Sequence, residues 1–407
     1  MRWHRNISDE LMNACFDCTV SGQNMPVFLN DEATPGGFMN LGIAREAAYD
    51  YTHVGCGELG ISGKLQDSAL GGSVGHISTL MQLLRQNRAG GKTLAGQFPR
   101  FDDLLDGLAR KMRANAEAQA AIARDVGSVQ AQFGQIPFTS AFMHGCIERA
   151  RDLTVRAEYN FPNMNMGGGY SNFVNSMAAI RQLVYRDRVC DLDELFEAMQ
   201  ANFEGHERLL AAARRAPKFG NDDEDADDLI PVLERIHADA IDGLEGPRNR
   251  GRFITSGIDG ASHMGAGANL MATPDGRLAG KPLAPGMSAA QGSTRNGLTA
   301  LLNTVQKLDS QNHWFGGYTL NLRVTPDLLK GADSRKKMMD LLRVYFMGKG
   351  LNLHLNCVST AMLREAQLHP EEHRDLVVRV SGYSEYFGNL SPEFQEEIIS
   401  RAEEMAG

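Results

Sequence analysis

Apolar positions recur at helical spacing through the middle of the chain. The segment "FDDLLDGLARKMRANAEAQAAIARDVGSVQ" (101–130) combines strong helix formers with apolar residues three and four apart, and predicts a long helix. "SNFVNSMAAIRQLVYRD" (171–187) predicts a second. "DLDELFEAMQANFEG" (191–205) predicts a third, opening on acidic residues and closing at Gly205. "GCIERARDL" (145–153) reads as helix, with Cys146 as a small buried side chain. From residue 281 the texture changes: "GGYTLNLRV" and "GLNLHLNCV" read as strands, separated by helices such as "LREAQLHPEEHRDL". Residues 20–60 read as loop-rich and short-stranded, with "MPVFLNDEATPGG" supplying turn chemistry. The acidic block "NDDEDADD" (221–228) reads as a solvated helix start. Strands alternating with helices predict an α/β fold. Near the C-terminus, "RVSGYSEYF" (379–387) is a strand-like segment interrupted by glycine, where a side chain to pack is missing and chain entropy is raised.

Bulk composition narrows the function classes. The 407 residues suffice for one large domain or two to three ordinary ones, and 43% hydrophobic content supports a real core. The net charge of −9, without a basic block, argues against nucleic acid as the main partner. There is no long apolar run for a membrane span and no signal-peptide core in "MRWHRNISDELMNACF". Six cysteines in a chain this long do not make a disulfide scaffold, so a reducing cytoplasm is the expectation. The 43 glycines and 19 methionines fit flexible turns and adaptable packing. No internal repeat or low-complexity tract occurs.

Several motifs fail on physical grounds. "GCGELG" (55–60) matches a dinucleotide fingerprint, but more glycines follow and no helix opens directly. "GELGISGKL" mimics a phosphate loop with its first glycine misplaced and Leu65 where a hydroxyl is required. Cys15 and Cys18 in "CFDC" lack the second pair or histidines of a zinc site and read as structural thiols. "HPEEH" (369–373) has Pro370 after its first histidine and reads as a surface helix start. No nucleophile elbow is present, and no metal site or bound cofactor is expected. Cys56 differs from Cys146 because its loop, "VGCGELG", is too glycine-dense for a regular helix. A cysteine there is a candidate reactive thiol with a nearby carboxylate, Glu58.

Taken together, "YTHVGCGE", "VNSMAAIRQLVY", "KFGNDDEDADD", "TPDGRLAGKPLAPGMS" and "RVSGYSEYFGNLSPEFQEEIISRAE" resemble, in order and spacing, the landmarks of the glycyl radical enzymes, the pyruvate formate-lyase and glycerol/diol dehydratase superfamily. The likeness runs from about Arg2 to the end. It implies an α/β fold that is half of a ten-stranded barrel, with the cysteine loop and the C-terminal glycine loop meeting in the core. Residues 1–280 would be the C-terminal part of the barrel domain and 281–407 the glycine radical domain. Gly382 would store an unpaired electron, stabilised by the flanking amide and carbonyl. A separate activating enzyme, using S-adenosylmethionine and an iron–sulfur cluster, would install it. Cys56 would pass the radical to a small-molecule substrate as a thiyl. Glu58, at the family's C-x-E position, would act as general acid/base.

The pyruvate formate-lyase subgroup uses two adjacent cysteines, whereas Gly55 and Gly57 flank Cys56 here. An eliminating lyase or dehydratase is therefore favoured over an acyl transferase such as a formate acetyltransferase. A decarboxylase stays open, because some decarboxylating members carry C-x-E. Two departures stand out. The chain has about half the family's length, so open sheet edges and an exposed apolar face are expected, with a separate N-terminal half or another copy as partner. A fragment without activity alone, or a radical-bearing module, is the alternative. Locally, Leu59 follows GCGE, and "GKLQDSALGGSVGH" (63–76) fits the family poorly, so substrate specificity does not carry over. A non-radical cysteine enzyme would need a base such as His53 near Cys56.

Overall fold

A computed structural model of the chain describes residues 1–23, 25–65, 71–89, 92–155, 157–247 and 251–403. Part of the poorly fitting segment, 66–70, lies outside them. The long helix runs over Phe101–Phe133. It opens with a reciprocal cap in which the Arg100 main-chain N–H donates to Asp103 at 3.0 Å. Its buried stripe begins with Leu104, Leu108 and Met112 and continues with Ala116, Ala120, Ala123 and Gly127. These small residues let the Leu229–Ile241 helix approach. Its other face leaves Ile122, Val129 and Phe133 exposed, the last 82%, and Phe138, Phe142 and Ile147 extend that apolar surface.

The second predicted helix is Tyr170–Ile180, every residue buried, continued by a wider turn over Arg181–Arg186. The third spans Leu192–Gln200 behind an Asp191–Glu194 capping box. It stops short of Gly205, which closes the following turn at φ +76°. Three local readings need correction. Residues around Cys146 form successive turns rather than a helix, although Cys146 is buried as expected. "HPEEH" is not a helix start: the helix before it, Thr360–Leu368, ends there, and Pro370 cannot continue it. The acidic block is only partly solvated. Asp223 caps a short helix over Glu224–Asp227, while Asp227 is buried against Lys307 at 2.7 Å and Thr304 at 3.0 Å.

The described strands are β1 (Arg2–Trp3), β2 (Val27–Asn30), β3 (Tyr51–Val54), β4 (Glu58–Ile61), β5 (Asn163–Asn165), β6 (Ile254–Ser256), β7 (Asn321–Val324), β8 (Asn352–Cys357), β9 (Val377–Arg379) and β10 (Ser384–Tyr386). Four of them form an open sheet in the order β1-β2-β8-β7, with β1 and β7 at its edges; no closed barrel forms among the described residues. The β7–β8 pair is parallel, with Asn321 opposite His354 and Arg323 opposite Asn356. Period-two alternation therefore splits the sheet. Leu322, Val324, Leu353, Leu355 and Cys357 belong to the main core. Asn321, Arg323, Asn352, His354 and Asn356 form the opposite, polar face. Onto that face comes the C-terminal segment, which has a core of its own: Val358, Leu363, Ala366, Val378, Val380, Phe387, Ile398 and Ile399.

Candidate active site

The segment 379–387 is not a broken strand. It is a hairpin of β9 and β10, antiparallel with Arg379 opposite Ser384, and Gly382 lies in the connecting turn. Cys56 occupies the same place in a second hairpin. β3 and β4 pair with Val54 opposite Glu58, leaving Gly55, Cys56 and Gly57 as the turn. Gly57 takes φ +129°, and a Cβ there would stand 2.7 Å from the Tyr318 carbonyl oxygen, so this hairpin can seat against residues 316–319 only with glycine. The Thr319 hydroxyl completes the seat by donating to the Cys56 carbonyl.

The two turns meet tip to tip. A Cβ built on Gly382 would collide with the Cys56 Cβ and come within 2.6 Å of its Cα and 2.8 Å of its Sγ. The sulfur is thus no more than about 4.3 Å from the Gly382 Cα, one carbon–carbon bond beyond that contact. Close approach of the backbone to Cys56 is what the missing side chain provides.

Electrostatics around the pair are uneven. Burial and then the Glu58 charge push the Cys56 thiol up; Arg379 opposes and Asp259 adds. The thiol keeps its proton at neutral pH, and with it a transferable hydrogen atom. Glu58 is half-buried, and its Oε2 accepts from the Cys56 main-chain N–H at 2.6 Å. His53 faces His354 at 6.0 Å between ring centres, and burial with the Arg379 charge pulls it down to about 4. The buried Nε2 of His53 has no hydrogen-bond partner, so it is not hydrogen-bonded to the Cys56 thiol.

Sequence reasoning passed over the residues that hold the glycine turn. Gly382 N–H donates to the Asp259 carbonyl at 3.0 Å, and Ser381 Oγ donates to the Asp259 carboxylate at 3.2 Å. Asn321 Nδ2 donates to the Ser381 carbonyl at 3.0 Å. Asp259 lies 2.5 Å from His263 Nδ1, and Glu397 lies 3.7 Å from His263 Nε2 and 2.5 Å from Arg401. All four sit in or beside the C-terminal core. The spacing Asp259–His263, one helical turn, was the available signal.

Burial pulls His263 down, but the neighbouring Asp259 and Glu397 carboxylates outweigh that and raise it. Burial would raise Asp259, yet the ion pair with His263 and the bond from the Ser262 hydroxyl hold it below the usual range. The signs follow. The His263 contribution is complete below its ordinary value of 6.5 and is lost as pH rises through its raised folded value. The Asp259 contribution is present above 3.8 and is lost as pH falls through its lowered folded value. The wild type should therefore lose stability relative to His263→Gln as pH rises above the ordinary value of 6.5, measured by urea unfolding at each pH. Parallel curves for the two proteins would exclude this ionic anchor.

A cavity of about 1310 Å³ lies elsewhere: Lys218, Asp275, Arg277, Glu393 and Phe394 line it, and neither Cys56 nor Gly382 does. No group of His, Cys, Asp and Glu among the described residues could hold a metal ion.

Comparison with known proteins gives the same frame. Two family profiles match, Pyruvate formate lyase-like over residues 1–267 and Glycine radical over residues 283–388. The chain belongs to the glycyl radical enzyme superfamily. It is 34% identical to the Probable dehydratase YbiW of Escherichia coli K12, over 100% of this chain and 52% of that protein. It is 30% identical to the trans-4-hydroxy-L-proline dehydratase of Clostridioides difficile, over 97% of this chain and 50% of that one. It is also 30% identical to the indoleacetate decarboxylase of Tractidigestivibacter scatoligenes, over 97% and 49%. The glycyl radical fold is shared with the B12-independent glycerol dehydratase of Clostridium butyricum, at TM-score 0.92 and 28% identity, over 98% of this chain and 51% of that structure. The chain spans about half the length of these glycyl radical relatives. Among the described residues no helix is long and apolar enough to cross a membrane.

Proposed function

We propose that this chain carries the radical chemistry of an eliminating lyase or dehydratase acting on a small polar substrate. Residues 1–280 present Cys56 and residues 281–407 present Gly382. One observation carries the reading: the Cys56 sulfur lies against the backbone of Gly382, which has no side chain to separate them. Gly382 stores the unpaired electron, installed by a separate S-adenosylmethionine-dependent activating enzyme. Cys56 gives its hydrogen atom to Gly382, and the resulting thiyl takes one from a substrate carbon that bears a hydroxyl. Glu58 removes the hydroxyl proton, the neighbouring group leaves with its electron pair, and Cys56 returns a hydrogen atom. Near-contact geometry is the condition for each hydrogen transfer. Names of relatives support elimination, as does the absence of a second cysteine beside Cys56. The decarboxylase relative at 30% identity supports a second reading, in which the substrate radical loses carbon dioxide instead.

The test is anaerobic electron paramagnetic resonance of the chain with its activating enzyme, S-adenosylmethionine and a reductant. A doublet from one α-hydrogen is expected, followed by backbone cleavage at Gly382 in air. A folded chain that gives no doublet, with or without an N-terminal partner half, overturns the reading.

A further inference from the structure

The Gly382 peptide is gripped at both ends by unlike groups. Its N–H donates to the Asp259 carbonyl at 3.0 Å, and its own carbonyl accepts from Arg379 Nη2 at 2.6 Å. Arg379 is buried, 6% exposed, and spends its other donors inside the same hairpin: Nε on the Ser381 carbonyl at 3.1 Å and Nη1 on Ser384 Oγ at 3.3 Å. Among the described residues no carboxylate pairs with it. Buried guanidinium groups are ordinarily matched by an anion, because desolvating a lone charge is costly. Here the cation is directed at a neutral peptide oxygen, in contact with the turn that meets Cys56.

The chemistry of a radical at Gly382 gives that arrangement a use. An unpaired electron on Cα delocalises by donation from the amide nitrogen and acceptance at the carbonyl, which places partial positive charge on N and partial negative charge on O. A cation at the oxygen and a carbonyl oxygen at the N–H both favour that form. Both hydrogen bonds gain charge-assisted character when the radical forms.

We propose that Arg379 and the Asp259 carbonyl form a push–pull clamp on the Gly382 peptide that sets where the unpaired electron rests between Gly382 and Cys56. The clamp rests on the radical reading above. Arg379 is a positioning and polarising group that acts through the carbonyl. The exchange it biases is balanced: the Gly382 Cα–H bond forms as the Cys56 S–H bond breaks, one hydrogen atom crosses, and no other reactant takes part. With the clamp in place the electron stays on Gly382 and the thiyl is rare.

The exchange can be read without knowing the substrate. In D2O the thiol becomes S–D; reversible transfer then leaves deuterium at Gly382, and the α-hydrogen doublet collapses to a singlet. In the activated full chain, Arg379→Gln, which keeps a donor but loses the charge, is expected to collapse at least about ten-fold faster than wild type, the scale of one charged hydrogen bond. Arg379→Lys should fall between the two. Collapse of either variant at the wild-type rate, with unchanged α-hydrogen splitting, overturns the clamp and leaves the radical reading standing. A wild type without a doublet overturns the radical reading itself. Should both variants fail to accept the radical, the wild type decides alone. With 15N-arginine in the protein, a nitrogen coupling to the Gly382 radical is expected in pulsed spectra, and its absence overturns the clamp.

Discussion

Gly382→Ala is expected to reduce the anaerobic doublet to background and to leave the chain uncut in air. The cause is local and steric before it is electronic. The added methyl would occupy space held by the Cys56 Cα and Cβ, backbone and near-backbone atoms that no rotamer change can move aside. The two turns must then part. Overpacking of this kind costs about 1–3 kcal/mol, so the protein still folds, and urea unfolding should show a loss in that range. Transfer to Cys56, which needs reacting atoms about 3–3.5 Å apart, is lost with that displacement; storage is lost separately, because the Cβ crowds a Cα that must become planar to hold the electron. Gly388→Ala is the control: a Cβ there meets nothing within 4 Å, and both doublet and cleavage should persist. A radical in Gly382→Ala with extra splitting from a methyl group would show that storage does not depend on a bare Cα. A normal doublet and normal cleavage would place the electron on another residue.

The legibility of this site in the sequence follows the range of the interactions that build it. Turn chemistry is local, so Gly55 and Gly57 around Cys56 signalled a loop that no helix could occupy. The Phe101–Phe133 helix was equally legible, because its stripe repeats over many turns. Lost to inspection was whatever depends on pairing at long range. The segment 379–387 alternates well enough to pass as one strand. Only its antiparallel pairing, with Arg379 opposite Ser384, turns it into a hairpin whose tip can reach Cys56. Asp227 looked like one carboxylate among several in an acidic block, and Lys307 and Thr304, some 80 residues away, decide that it is buried. Asp259 and His263 carry a helical-turn spacing but no family landmark. Their purpose becomes visible once Glu397 and Ser381 arrive from the chain's end. That the cysteine and glycine loops meet was legible only through the family resemblance, carried by short local motifs around Cys56, Glu58 and Gly382. Arg379 stood in the same short segment and was overlooked, because a cation beside a strand reads as solvated until its burial is known.

Cys56→Ser separates storage of the electron from its use. Serine is nearly isosteric, so the β3–β4 turn should keep its seat on residues 316–319 and the Gly382 hairpin its anchor on Asp259. In the proposed scheme the activating enzyme acts on Gly382, so the doublet should form at wild-type yield. An O–H bond is much stronger than an S–H bond, so the glycyl radical cannot draw hydrogen from the serine. Turnover of any substrate accepted by the wild type should fall on the order of 10⁴-fold or more, the scale of removing an essential reacting group. In D2O the contrast needs no substrate at all: the wild-type doublet collapses to a singlet, and the Cys56→Ser doublet keeps its splitting for as long as the radical lasts. Collapse in the serine variant would mean that another exchangeable group reaches Gly382, and the two-hairpin contact would then not be the transfer path. A serine variant that never acquires the radical would instead assign Cys56 to activation rather than to catalysis, since nothing in the geometry of the glycine turn requires sulfur to hold it.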